Sequence, residues 1–268
     1  MSQNIGVIGC GKMAYAILAG LNNCRDKYGR ILVNDVDNSR TQLFQKEFRA
    51  EIVGSREVIT GSDLVILAVK PAQMEALLND VADAVTVDKL VVSIAAGVKT
   101  ATIERSLKAH CPVIRVMPNT PALVGKGMTA VCAGKRAGVE QVQKVCELFE
   151  AIGHVVVVEE KHMDAVTAIS GCGPAYFYLI AEAMINAAVN IGLDGNTSRQ
   201  LVLETMQGSV SAMQITGRHP VELRDDVCSP GGSTITAVRK LEENGIRKAF
   251  FNAIEAAWQR SIELGADK

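Results

Sequence analysis

The segment Ile5-Gly6-Val7-Ile8-Gly9-Cys10-Gly11-Lys12-Met13-Ala14 opens the first legible unit of the chain. A short β-branched run enters a Gly-x-Gly-x-x-Ala loop, and Lys12 to Asn23 continues with helical composition. Strand, loop and helix in this order give the glycines separate tasks. Gly9 permits the tight turn, Gly11 lets a pyrophosphate approach the backbone, and Ala14 lets the helix pack closely on the strand. The helix N-terminus then faces the anion with free N–H groups. Cys10, Lys12 and Met13 complete the loop, so a dinucleotide site is expected here.

Beyond this unit, short apolar runs alternate with helix-like stretches: strands at Arg30 to Asn34, Leu64 to Val69, Leu90 to Ile94, Val113 to Val116 and Val155 to Val158, and a second helix at Ser39 to Phe48. Strands covered on both faces by crossover helices read as continuous apolar runs. The expected fold is therefore α/β, a Rossmann-type, doubly wound and mostly parallel sheet. The second strand ends at Asn34-Asp35. An acid there holds the ribose hydroxyls of NAD and repels the extra phosphate of NADP. Asn34, Ser39 and Arg40 offer a phosphate pocket if Asp35 turns away, and the sequence leaves that choice open.

Beyond about residue 160 the strands stop. Helices are expected at Pro174 to Gly192, Ser198 to Thr216, Pro220 to Val227, Thr234 to Asn244 and Ile246 to Leu264, with Asp194-Gly195 as a break. In Pro174 to Gly192 only Glu182, Asn186 and Asn190 interrupt the apolar surface, at four-residue spacing. So narrow a polar stripe calls for burial on several sides, and a dimer interleaving two copies supplies it. The division expected is residues 1–161 for dinucleotide binding and an all-α part, residues 162–268, for substrate binding and dimerisation.

Composition excludes several classes. The net charge of −1 with no basic block argues against nucleic acid or an anionic membrane as partner. Met1 to Gly6 carries no basic leader, and apolar stretches are broken before 18 residues, so a cytoplasmic protein without membrane spans is expected. Seven widely spaced cysteines without a CxxC pair fit reduced thiols, mostly in the core. The four histidines are isolated, and no metal site is expected.

Further motifs narrow the reading. Ala68-Val69-Lys70-Pro71, Ala95-Ala96-Gly97 and Met117-Pro118-Asn119-Thr120-Pro121 each follow or end an expected strand. In the helical half stand Ser170-Gly171-Cys172-Gly173-Pro174 and Ser229-Pro230-Gly231-Gly232-Ser233-Thr234. Together with the glycine loop, and in this order, they resemble the pyrroline-5-carboxylate reductase family from about Ile5 to Leu264. The resemblance implies hydride transfer from NADPH, with NADH as the alternative, to a small cyclic imine in proline biosynthesis. It implies that Ala68 to Pro71 lie along the cofactor, Ala95 to Gly97 border its nicotinamide half, and Met117, Pro118 and Asn119 wall the nicotinamide. It places Glu160 near the substrate nitrogen and assigns the substrate carboxylate to the turn of Ser229, Gly231, Gly232, Ser233 and Thr234. Thr234 is the expected catalytic hydroxyl. A homodimer, often assembled into a decamer, is implied as well. Asp35 departs from the pattern of an NADPH-preferring member, and Cys172 and Ser233 are milder departures.

The chemistry suits this residue set. A cyclic imine is basic enough to arrive partly as the iminium, so orientation and charge placement are the main tasks. Two competing readings share the first half: a β-hydroxyacid dehydrogenase relative and a non-catalytic dinucleotide sensor. The first lacks a matching helix lysine near Gly171 to Pro174, and the second has no need of the Ser229 to Thr234 turn.

Overall fold

The computed structural model describes residues 3–22 and 27–266. Cys24 and the expected end of the first helix at Asn23 lie outside them. Contacts divide the chain into two compact units: residues 1–174 with 256–268, and residues 175–255.

In the first unit, among the described residues, eight strands form one sheet: β1 (Gln3–Ile8), β2 (Tyr28–Asn34), β3 (Glu51–Ile52), β4 (Leu64–Leu67), β5 (Leu90–Ser93), β6 (Val113–Met117), β7 (Gly127–Ala133) and β8 (Gly153–Val157). The order is β3-β2-β1-β4-β5-β6-β7-β8. All neighbours are parallel except β6 and β7. The doubly wound, mostly parallel fold expected from the sequence is therefore present.

Alternation along the strands sorts the core into two layers. Ile5, Val7, Ile31, Val33, Leu64, Ile66, Leu90 and Val92 face one apolar cluster. It includes residues of α1 (Lys12–Leu21), α2 (Asn38–Phe48) and α6 (Val139–Glu150). Ile8, Leu32, Val65, Leu67 and Val91 face the other, against α3 (Ser55–Gly61), α4 (Pro71–Val81) and α5 (Thr100–Ser106). The period of two in a strand produces this split, and each fully buried Val, Leu or Ile contributes about 1.5–3 kcal/mol.

Three features were not anticipated, the first being the two-residue edge strand β3, which no expected run covered. β7 is a strand that no expected run covered, and it reverses direction beside β6. Its residues Gly-Met-Thr-Ala-Val-Cys-Ala mix small and polar types, which weakens the β-branched signal. β8 begins at Gly153, two residues before the expected strand, with Gly153 at φ +148° against Gly127.

Past β8 the chain enters a 3₁₀ turn at Glu160–His162, the short α7 (Met163–Val166) and a π-turn at Thr167–Gly171, closed by the Cys172 N–H on the Thr167 carbonyl at 2.9 Å. The helices α8 (Gly173–Asn190), α9 (Gly195–Thr216), α10 (Pro220–Asp226), α11 (Ser233–Glu243) and α12 (Ile246–Ala266) follow. The expected break includes Asp194 but ends there: the Asp194 carboxylate accepts the N–H groups of Asn196 and Thr197, so α9 begins at Gly195, three residues early. α12 is continuous, but its residues divide between the units at Glu255 and Ala256.

The second unit buries few apolar side chains by itself. Phe177, Tyr178 and Leu179 on α8 are 58%, 64% and 66% exposed. The run from Glu160 to Asn190 is also long and apolar enough to cross a bilayer, with a mean hydropathy of 1.2. Gly171, Gly173, Glu182 and Asn186 interrupt this run as the sequence reading expected, so it passes by mean hydropathy and not by an unbroken apolar stretch.

Candidate active site

The five strand-end motifs of the first unit come together. Gly9–Met13, Asn34-Asp35, Ala68–Pro71, Ala95–Gly97 and Met117–Asn119 follow or end β1, β2, β4, β5 and β6, along one edge of the sheet. The strand order reverses between the parallel neighbours β1 and β4, and ligands of open α/β sheets bind outside the carboxyl ends at such a point.

The glycine loop has the geometry of an anion cradle. Gly9 has φ +99°, and a Cβ there would lie 2.6 Å from the Ala68 carbonyl oxygen. Only glycine serves at that position. At Gly11 a Cβ would meet nothing within 4 Å, so the space above it is open. Gly11 caps α1, and the Lys12 and Met13 N–H groups have no partner among the described residues. Open space beside free N–H groups at a helix N-terminus fits a dinucleotide pyrophosphate.

At the end of β2, the Asp35 carboxylate accepts the Cys10 N–H at 2.6 Å and the Asp37 N–H at 2.9 Å. The Asn34 side-chain N–H donates to the Val53 carbonyl at 2.8 Å. Arg40 pairs with Asp37 at 3.2 Å, and the Ser39 hydroxyl donates to the same carboxylate.

Asn119 makes a long-range link. Its side-chain N–H donates to the Ser170 carbonyl at 3.2 Å, while its oxygen accepts the Met128 N–H at 2.8 Å. This ties the loop after β6 to the π-turn. The Met117 methyl occupies the space that a Cβ on Gly171 would need. π-turns inside helices often mark functional positions.

Glu160 sits in a charged cluster that sequence reasoning did not assemble. Its carboxylate accepts the Thr100 N–H and the Thr100 hydroxyl, both at 2.7 Å. Arg115, on β6 and 2% exposed, lies 3.6 Å from Glu160 and 3.3 Å from Asp164. The signal was available: Arg115 is a charge inside the apolar run Val113–Met117, and such a residue needs partners.

In the second unit, Ser229–Gly232 forms a turn closed by the Gly232 N–H on the Ser229 carbonyl at 3.0 Å. Gly231 has φ +71°, and a Cβ on Gly232 would lie 2.5 Å from the Ser229 hydroxyl. Gly232 caps α11, so Ser233 and Thr234 are its first two residues. Their N–H groups have no partner among the described residues, nor does the half-buried Thr234 hydroxyl. Free N–H groups beside a free hydroxyl at a helix start have the chemistry that fits an anion.

Comparison with known proteins completes the picture. A pyrroline-5-carboxylate reductase of Corynebacterium melassecola is 40% identical over 97% of this chain and 98% of its own. The chain belongs to the pyrroline-5-carboxylate reductase family. The reductase of Methanosarcina acetivorans is 39% identical over 98% of each chain. Residues 160–264 match the family described as pyrroline-5-carboxylate reductase dimerisation, and residues 4–97 match NADP oxidoreductase, coenzyme F420-dependent. Among solved structures, Plasmodium falciparum pyrroline carboxylate reductase with NADP bound has a TM-score of 0.89 at 31% identity, covering 98% of both chains. The pyrroline-5-carboxylate reductase of Streptococcus pyogenes has a TM-score of 0.89 at 28% identity, covering 98% of this chain and 99% of the other.

Proposed function

We infer that this chain reduces 1-pyrroline-5-carboxylate to L-proline with NAD(P)H, the last step of proline biosynthesis. The observation that carries the reading is full-length similarity to curated reductases, at 40% identity over 97% of the chain. The bound nicotinamide supplies the hydride. The N–H groups of Ser233 and Thr234, with the turn of Ser229, Gly231 and Gly232, take the substrate carboxylate at the start of α11. The Thr234 hydroxyl bonds the ring nitrogen or the carboxylate. Glu160 favours the iminium form through its negative charge, held in place by Thr100 and Arg115.

Cofactor contacts follow the strand ends: Gly9–Met13, Asn34, Asp35, Ala68–Pro71, Ala95–Gly97 and Met117–Asn119. NADPH is the preferred donor, with Arg40 as the partner of its extra phosphate, and NADH is the alternative. The NADP bound in the Plasmodium relative supports this preference.

Residues 1–161 form the dinucleotide-binding domain, and residues 162–268 serve substrate binding and dimerisation. Exposure of Phe177, Tyr178 and Leu179 in the single chain supports a homodimer over a membrane span, and the family match at 160–264 is described by dimerisation. Assembly to a decamer and a cytoplasmic location complete the reading. Sedimentation of the full chain is expected to give a dimer or a larger species, and a monomer at micromolar concentration would overturn the assembly. A steady-state assay with pyrroline-5-carboxylate and both reduced nicotinamides tests the activity. Turnover with at least one is expected, and none with either overturns the reading.

A further inference from the structure

The loop that leaves β5, residues 94–99, is held at three points. At its start the Ala95 N–H donates to the Ser93 hydroxyl at 3.3 Å. At its end Thr100, the first residue of α5, gives both its N–H and its hydroxyl to Glu160. In its middle Gly97, at φ +75°, lies against the backbone of Leu264 and Gly265 near the end of α12. A Cβ on Gly265 would come within 2.7 Å of the Gly97 carbonyl oxygen, so the approach is close enough to require glycine.

The second and third anchors are connected. Ser261 lies one helical turn before Gly265 and is 3% exposed. Its hydroxyl donates to Asp164 Oδ1 at 2.9 Å, across 97 residues of sequence. Asp164 also meets Arg115 at 3.3 Å, and Arg115 lies 3.6 Å from Glu160. One buried guanidinium thus serves two carboxylates: one fixes the start of α5, and the other receives the end of α12. Buried charges persist only with such partners. Positions i and i+4 share a helix face, so Ser261 and Gly265 present the same side of α12 to this cluster and to the loop.

We propose that the end of α12 is a positioning element for the loop after β5, acting through Ser261 and Gly265 and braced by Arg115. The loop stands at the carboxyl end of a central strand, two places from the glycine loop of β1, where a dinucleotide passes over the sheet. A small displacement of such a wall misaligns the reacting atoms while leaving the pyrophosphate contacts intact. Ser261, Asp164 and Arg115 touch no reacting atom in this scheme. They hold what does.

The proposal rests on the reductase reading, and its test separates the two. Ser261→Ala removes one hydrogen bond and no packing volume of note, and Gly265→Ala places a methyl group on Gly97. Hydrogen exchange in the full chain without cofactor is followed on peptides covering residues 94–101. Both variants are expected to speed exchange there at least threefold, with little change in peptides from β1 and β4. The NADPH dissociation constant is expected to stay within about twofold, while kcat falls about 3- to 30-fold. The deuterium isotope effect at the transferring nicotinamide position is expected to rise as hydride transfer becomes slower. A mere loss of folded protein leaves that isotope effect unchanged. Arg115→Lys, which keeps the charge and loses the fork, is expected to fall between wild type and Gly265→Ala. Folded Ser261→Ala and Gly265→Ala proteins with wild-type exchange at residues 94–101 would overturn the proposal. Wild-type protein without imine reductase activity would overturn the underlying reading instead, and the exchange measurement on the loop would still decide the role of α12.

Discussion

The main-chain N–H of Cys10 donates to Asp35 Oδ2 at 2.6 Å, joining the middle of the glycine loop to the end of β2. The other carboxylate oxygen accepts the Asp37 N–H at 2.9 Å. A carboxylate that receives two main-chain N–H groups is fixed in position by charge-assisted bonds. Asp35 therefore belongs to the architecture of the loop, independently of any ribose it meets. Its charge also reaches the Cys10 thiol, which burial first, and then Asp35, push up to about 12.

The first consequence concerns the cofactor. With Asp35 engaged by the loop, Arg40 is the exposed cation available to a 2′-phosphate, once it leaves Asp37. Arg40→Ala is expected to lower kcat/KM for NADPH about tenfold, the lower end for a charge-assisted bond at an exposed site. The value for NADH is expected to stay within about twofold. A wild-type enzyme that clearly prefers NADH would show that Asp35 governs the ribose pocket.

Gly11 admits a side chain sterically, because its Cβ would meet nothing within 4 Å. Gly11→Val is therefore expected to fold with a melting temperature near that of wild type. The added methyl groups stand where the pyrophosphate approaches, so NADPH affinity is expected to drop by at least about 100-fold, some 3 kcal/mol. Unchanged affinity in a fluorescence titration would make the loop a plain turn.

Thr234 carries a free hydroxyl in the first turn of α11. A hydrogen bond to a charged group is worth about 1.5–3 kcal/mol. Thr234→Ala is expected to bind NADPH normally and to lose roughly 10- to 150-fold in kcat/KM for the imine. Thr234→Ser is expected to recover much of the rate, since it restores the oxygen. Near wild-type efficiency in the alanine variant would leave recognition to the backbone N–H groups and Glu160.

Buried thiols set a limit at high pH. Burial raises Cys10 to about 12, and Cys111 and Cys132 to about 11, from an ordinary value of 9.0. Between these values the unfolded chain binds fewer protons than the native one, so stability falls as pH rises. The contribution is complete below about pH 9.0 and is lost progressively toward pH 11–12. Thermal melts at pH 8, 9.5 and 10.5 are expected to show a falling midpoint, smaller in a Cys10→Ala variant. Equal slopes in the two proteins would exclude Cys10 as a contributor.

Much of the site was legible because it is local in sequence. Gly9 to Ala14 is a contiguous βα turn, and Ser229 to Thr234 is a contiguous turn and helix start, so pattern and geometry coincide. β7 escaped because its small and polar residues gain strand structure from β6 on one side and β8 on the other. The bond from Asn119 to Ser170 spans 51 residues of sequence, and no local pattern announces it.

The central strands β1, β2, β4, β5 and β6 were legible as continuous apolar runs whose period of two divides them between the two layers, and the glycine loop was legible because φ and close approach at Gly9 admit one residue. The surroundings of Arg115, by contrast, exist only in the folded chain. Thr100, the neighbouring pair Glu160 and Asp164, and Ser261 come from three separate segments, and nothing in the spacing of those segments announces a common destination. The physical reason is desolvation: a guanidinium inside a sheet must gather its partners wherever the fold brings them, and that is a property of three-dimensional proximity.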